Sequence, residues 1–407
     1  MKKIISKGII LFMLLILLIS FTGCTEENKY NDNPVSVNEQ SKKNTPIELY
    51  IKQNIKLGLY EPEEGVYLGA YVEKNKNIEG DITTFEKIVG QRQTFKVFQY
   101  TMGEGLSSQE ILKCMAQRKV PYIKLLLGND FDLTSLYRMI SDINASYSVP
   151  IFIELFPLTS KISQPIVYKE TFQRAHEIIH KYLDDAVIVW SVDSSRLYDM
   201  PLYYPGEELV DWVGINIYIP RYKDKLPYES TYIEDIDFWY KNFQKSKPMM
   251  ISGLAISHFS TIDHTYTLND AQNKLHVIYN KVLSLYPRIK SVLYIDVDMG
   301  EVVKNGADDY RITSQKQLTE YMKQAFKNDI FLDEIEEIHA KRQSSLYIKY
   351  DIVAAQFDED LYLSKQYMST FFKKVPLSKI GMIEDLNGEK FYKLDDVKAY
   401  NDFYYNR

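Results

Sequence analysis

Glu154 lies inside "FIELF", a single carboxylate in an apolar run. Burial in such surroundings shifts a carboxyl's ionisation, which is how proton-transfer groups are commonly tuned. Acid–base work needs a partner, and three aspartates stand at comparable places. Asp193 closes "AVIVWSVD", and Asp296 and Asp298 end "LYIDVD". The last two share one face by strand alternation. They could bind a cation or a sugar hydroxyl, or cap the loop that follows. Glu154 could work with one of these aspartates, or accept hydrogen bonds from a neighbouring strand or loop. Other chemistries find less support. His176 and His180 stand four apart in "AHEIIH", without the His-Glu-x-x-His order of zinc proteases, and read as one face of a surface helix. The two cysteines, Cys24 and Cys114, form no Cys-x-x-Cys, which excludes a zinc or redox centre of that kind. No metal and no cofactor is expected.

Composition narrows the partners. The net charge is −6, with no basic cluster to suggest nucleic acid. There are 33 tyrosines. Aromatic faces suit carbohydrate, yet a chain rich in Ile, Lys, Asn and Tyr also reflects AT-rich coding. At the N-terminus Lys2, Lys3 and Lys7 precede "GIILFMLLILLIS" and then "FTGC". A positive region, a short apolar core and small residues before a cysteine resemble the bacterial lipoprotein processing site. That resemblance implies that Cys24 becomes the first mature residue, lipidated on sulfur and anchored by two acyl chains to the outer face of the cell membrane. An uncleaved anchor is the alternative. Residues 25–47 are polar and poor in aromatics, a composition that buries too little to order itself.

Any catalytic set needs a frame, and from about residue 60 the chain repeats apolar strand, loop and amphipathic helix. Strands are expected at 65–72, 95–100, 121–127, 149–156, 186–192, 211–218, 248–254 and 290–297. Their continuous apolar runs suit parallel strands buried on both faces. Ser107 and Glu110 have capping-box spacing, and "YYPGEEL" leaves room for only a short helix in the fifth unit. Eight units in about 270 residues fit a (β/α)8 TIM barrel, which needs about 250. The expected division is 1–24 signal peptide, 25–59 tether and lead-in, 60–335 barrel and 336–407 a small α+β module with a turn at Asn387–Gly388. That module resembles small domains appended to cell-surface proteins of low-GC Gram-positive bacteria.

The strand ends carry a string of motifs: "AVIVWSVDSS", "YYPGEELVDWVGINIY", "KPMMISGLA" and "YPRIKSVLYIDV". In order and spacing they resemble glycoside hydrolase family 26, the mannanase-type barrels, over roughly residues 65–330. Trp190 and Ser191 match the family's Trp-Ser pair on the fifth strand. Tyr204, Pro205, Gly206, Asp211, Trp212, Val213 and Gly214 match the run into the sixth, and Tyr218 its terminal tyrosine. The resemblance implies an acid/base glutamate after the fourth strand and a nucleophilic glutamate on the seventh. Here those positions fall on Leu158 and Gly253, and the tryptophan flooring the sugar site falls on Tyr294. Leucine and glycine can neither donate a proton nor form a glycosyl ester. The family's cleft positions imply sugar contacts from Trp190, Asn216, Tyr218 and Tyr294, with Asp296 at the end of the eighth strand as a further candidate. For each aromatic, packing within the barrel is the alternative. The expectation is a lipid-anchored pseudoenzyme that binds or positions a polysaccharide, such as a β-linked glycan, in surface or exopolysaccharide assembly. An active β-glycan hydrolase using Glu154 with an aspartate, and a structural or protein-interaction lipoprotein, remain the alternatives. Protein partners are not specified.

Overall fold

The computed structural model describes residues 35–36, 42–102, 108–127, 133–146, 150–159, 164–336, 343–385 and 387–407. The signal peptide, Cys24, most of the tether and Ser107 lie outside the described residues.

Eight parallel strands close a barrel. They are β1 Val66–Tyr71, β2 Phe95–Thr101, β3 Val120–Leu126, β4 Phe152–Leu155, β5 Val187–Asp193, β6 Trp212–Ile219, β7 Met249–Ile256 and β8 Ile289–Ile295. Each pairs with the next, and β8 returns to β1 from Ser291↔Tyr67 to Ile295↔Tyr71. Every expected strand is present within a few residues. The reason is the sequence itself, since runs of aliphatic and aromatic residues this short can bury both faces only in a covered parallel sheet.

Alternation divides each strand into an outer and an inner set. Outward residues such as Ile123, Ile153, Ile188 and Val213 pack beneath the helices, while Tyr67, Phe95, Tyr122, Phe152, Val187, Trp212 and Met250 fill the interior. Phe95 and Phe152 rings lie 4.8 Å apart, and Phe152 and Trp212 rings 5.5 Å, all edge-on. The lower barrel is therefore an aromatic plug, not a pore. One inward step further up β3, β4 and β7 the residues turn polar: Lys124, Glu154 and Ser252 follow Tyr122, Phe152 and Met250.

The outer layer includes α1 Ile82–Val89, α2 Ser108–Ala116, α3 Leu133–Ser146, α4 Pro165–Tyr182, α5 Met200–Tyr203, α6 Tyr232–Phe243, α7 Leu268–His276 and α8 Lys316–Ala325. Asp81 caps α1 by accepting from the amides of Thr83 and Thr84, which hold its carboxyl near a pKa of about 2 despite some burial. The fifth connection contains only the four-residue α5 flanked by 3-10 turns, as "YYPGEEL" required.

The expected divisions at 59/60 and 335/336 are displaced. The described residues form two compact units, one within 45–353 and 398–407, the other within 35–44 and 354–397. Strand Lys43–Lys56 pairs antiparallel with Phe403–Asn406, Leu49 opposite Tyr405. Gln244 at the end of α6 exchanges two 2.9 Å hydrogen bonds with Lys349, and the Lys349 ammonium reaches Glu48 and Asp237. "IELYIKQNI" thus buries Ile47, Leu49, Ile51 and Ile55 rather than remaining a tether. In the second unit, strands Asp360–Ser364, Met382–Glu384 and Lys390–Lys393 with helix Lys365–Phe371 surround Phe357, Tyr362 and Phe391. Asp385 accepts from the amides of Asn387 and Glu389, and Gly388 takes φ 78°.

Candidate functional site

Parallel register sets Lys124 of β3 directly beside Glu154 of β4. Both are buried, Glu154 completely. Glu154 Oε2 accepts from the Tyr122 hydroxyl at 2.8 Å and faces the Lys124 ammonium at 3.3 Å. Its Oε1 accepts from the Ser191 hydroxyl, from Asn216 Nδ2 at 3.4 Å and from Ser252 Oγ at 3.5 Å. Lys124 Nζ also donates to Asn216 Oδ1 at 2.6 Å and to the Ser252 carbonyl at 3.3 Å. Residues from five consecutive strands thus meet in one network at the C-terminal end of the barrel.

Electrostatics follow from this enclosure. Burial pulls the Lys124 ammonium down, but the charge of Glu154 and the neighbouring Tyr218 and Asp193 more than offset it, so its pKa is raised. Burial, with a smaller push from Glu154, lifts the Tyr122 hydroxyl well above its ordinary value. Asp193 is raised to about 6 by burial first, then by Glu154; Lys124, Arg196 and Asn216 partly offset this.

Two glycines make the network possible. A Cβ on Gly253 would lie 2.5 Å from Asn216 Oδ1 and 3.3 Å from both Lys124 Nζ and the Tyr218 hydroxyl. A Cβ on Gly214 would meet Ser252 Oγ at 2.6 Å. The position that the family resemblance assigns to a nucleophile therefore has polar side chains where its own would stand. Leu158, at the acid/base position, is fully buried in the outer apolar layer, and its backbone bridges to β5 through Ser191 and Asp193.

Two of the expected sugar contacts, Trp190 and Asp296, are buried away from the cavity described below, and Tyr294 only borders it. Trp190 is fully buried among outward residues, 5.1 Å from the Tyr204 ring and 6.0 Å from that of Phe243. It packs under the helices because it alternates with Ser191, which faces inward. Tyr294 is out of phase with inward Leu293; it borders the cavity, but its ring joins the outer layer and its hydroxyl donates to the Tyr310 carbonyl at 2.7 Å. Asp296 is fully buried and accepts from Asn75 Nδ2 at 2.6 Å and from Thr313 Oγ1 and N at 2.6 and 3.2 Å. It ties loops together and presents nothing to a ligand. Asp298 accepts from the Gly300 amide and pairs with Arg311 at 2.9 Å, which is the capping role. Asn216 belongs to the network. Tyr218, 39% exposed, remains at the mouth.

The mouth holds a cavity of about 240 Å³ whose lining includes the polar side chains Tyr71, Gln99, Lys124, Tyr218 and Ser252 together with hydrocarbon from β8 and residues 297–303. Glu154 is not in its lining. Lys124, the residue that sequence reasoning missed, is. Among the described residues no group of three or more His, Cys, Asp or Glu side chains is placed to hold a metal.

Asp296 carries a pH prediction. Burial raises its pKa to about 6, outweighing the donors Thr313 and Asn75. The folded chain therefore holds this proton more tightly than the unfolded chain. Its contribution is most favourable below about pH 4, falls as pH rises toward about 6 and is flat above. Between pH 4 and 7 the wild type should lose about 2–3 kcal/mol relative to Asp296→Asn, read from urea unfolding of both at each pH. A flat difference, or one of opposite sign, would show that the three donors dominate.

Comparison with known proteins finds distant likenesses. The model of "Glycosyl hydrolase family 26" matches residues 155–274. No curated protein matches the sequence. Among solved structures, the catalytic domain of a Bacillus sp. JAMB-750 GH26 endo-β-1,4-mannanase is 10% identical, covering 68% of this chain and 93% of its own, with a TM-score of 0.46. A GH26 β-mannanase from Bacteroides ovatus is 10% identical over 66% of this chain and 90% of its own, TM-score 0.47. Bacteroides uniformis β-glucuronidase 2 is 12% identical over 68% of this chain, TM-score 0.48, and the chain spans only 37% of its length.

Proposed function

We propose, for a chain whose barrel carries a segment of glycosyl hydrolase family 26, that this barrel binds and positions a polysaccharide without cleaving it. We further propose that lipid on Cys24 holds it at the outer face of the cell membrane, as an accessory of surface-polysaccharide assembly. The anchor is supported by "FTGC" after an apolar core, and the polysaccharide by the family segment.

One observation carries the non-cleaving reading. Retaining glycosidases use two carboxyl groups about 5–5.5 Å apart on either side of the scissile bond. Here the nucleophile position is Gly253, hemmed by Asn216, Lys124 and Tyr218, and the acid/base position is Leu158 in the apolar layer. Glu154 is no substitute, since both of its oxygens face protein donors and it is shut from the cavity.

A second reading has one observation in its favour. The Asp193 carboxyl, raised to about 6, has the poise of a general acid. On that reading Asp193 protonates a leaving group and Glu154 assists, and turnover vanishes in both Asp193→Asn and Glu154→Gln.

The test is calorimetric. Full-length protein taken from membranes into detergent is titrated with β-mannan and β-glucan oligosaccharides, and the sugar is then sized. Saturable heat with sugar of unchanged length is expected. Cys24→Ala should leave the membrane fraction and bind equally well. Shortened sugar would overturn the non-cleaving reading, the absence of heat the binding reading, and membrane retention of Cys24→Ala the anchor.

A further inference from the structure

The cavity at the barrel mouth has a mixed lining, polar side chains from β1, β2, β3, β6 and β7 and hydrocarbon chiefly from β8 and residues 297–303, and the mixture bears on what it takes. We infer that it receives one acylated neutral sugar residue, the acyl methyl lying against hydrocarbon and the ring against polar groups. This rests on the polysaccharide-binding reading above.

Charge is considered first. Lys124 is the buried cation of the lining, and an ammonium has three N–H donors. They face Asn216 Oδ1, Glu154 Oε2 and the Ser252 carbonyl. With Glu154 alongside, the floor is a closed, neutral pair. A uronate or phosphate would gain no free donor there and would lose its hydration. The exposed Lys74 at the rim can meet an anion only in solvent, where such pairs contribute little.

The polar part of the lining does offer unsatisfied groups. Tyr71 is 8% exposed, and among the described residues its hydroxyl has no hydrogen-bond partner. The same holds for the side chains of Gln99 and Tyr218, which also line the cavity. These are donors and acceptors for sugar hydroxyls. The hydrocarbon comes from Leu293 and Ile295 of β8 and from Val297, Met299, Val302 and Val303 after it, with Val97 one inward step below Gln99. A bare hexose has hydroxyls around its whole rim, and those turned to this hydrocarbon would be buried without partners, which is unfavourable. A lipid chain would leave the polar groups unmatched. A sugar with an N-acetyl or O-acetyl group matches both. At about 240 Å³ the cavity is below the roughly 300–1,000 Å³ of drug-sized sites, which suits one residue of a glycan rather than a bound stretch.

The experiment titrates the full chain in detergent micelles with N,N′-diacetylchitobiose, O-acetylated mannobiose, cellobiose, mannobiose and a glucuronate disaccharide. At least one acylated sugar should bind tenfold or more tighter than its unacylated counterpart. Saturation transfer should fall most strongly on its acetyl methyl. Preference for the first probe alone identifies an amide-linked acyl group, for the second alone an ester-linked one, and either supports the inference. Val303→Asp, a change at a residue 44% exposed, should abolish the preference. Tyr71→Phe should weaken all sugars severalfold. Equal or tighter binding of cellobiose, mannobiose or the glucuronate sugar, or a preference untouched by Val303→Asp, overturns the acyl assignment and leaves carbohydrate binding standing. Failure of every probe to bind overturns the underlying reading as well.

Discussion

Lys124→Met will lower the stability of the barrel by about 3–5 kcal/mol, the range for removing one partner of a buried ion pair. Glu154 is fully buried and has Lys124 as its only cationic partner within 4 Å among the described residues. The variant leaves Tyr122, Ser191, Asn216 and Ser252 to hold an uncompensated charge. It also frees Asn216 Oδ1 and the Ser252 carbonyl, both of which lose a donor. Methionine nearly matches the lysine stem, so packing loss adds little. Lys124→Met/Glu154→Gln should recover most of the loss, because a neutral amide requires no countercharge. Denaturant unfolding followed by tryptophan fluorescence is suited to this, since Trp190, Trp212 and Trp239 are all buried in the unit that contains the barrel. A single variant costing under about 1 kcal/mol, the scale of an exposed pair, would mean that the pair is solvated and the floor not closed.

Gly253→Ala should cost about 1–3 kcal/mol, the range for overpacking a full site, and Gly253→Glu more. An added Cβ would lie 2.5 Å from Asn216 Oδ1. That oxygen ends a side chain and can move, but moving it breaks the 2.6 Å bond from Lys124. The longer variant also brings a second carboxylate toward Glu154 in an enclosed space, where like charges repel strongly. A glutamate placed here should not create cleavage, because Leu158, at the position the resemblance gives to the acid, supplies no proton donor. A Gly253→Glu protein as stable as wild type would show that the position is open.

Much of this architecture is legible in the residue order. The eight strands announce themselves as short aliphatic runs, and "YYPGEEL" foretells the stunted fifth connection. Strand parity also contains more than position matching alone reveals. Trp190 alternates with Ser191 and Asp193, and Tyr294 with Leu293, so neither can share the inward face. Asp296 falls at the expected place, but its partners Asn75 and Thr313 come from distant loops that one sequence does not align. The central pair was half visible: "PYIKLLL" holds one lysine as "FIELF" holds one glutamate, each two residues past an inward aromatic. What sequence lacks is the register that sets Lys124 beside Glu154. The domain limits failed for a related reason. Leu49 and Tyr405 are joined by a pairing across nearly the whole chain, and nothing local in "ELYIKQNIK" signals it.

The most direct measurement is of new reducing ends. Full-length protein at high concentration is incubated for hours with β-mannan and β-glucan, beside a no-protein blank. With Leu158 and Gly253 at the positions that the family resemblance gives to the two carboxyls, product should not rise above the blank. Steady release of sugar that disappears in Glu154→Gln would contradict the account and make the Lys124–Glu154 pair a catalytic device rather than a closed floor.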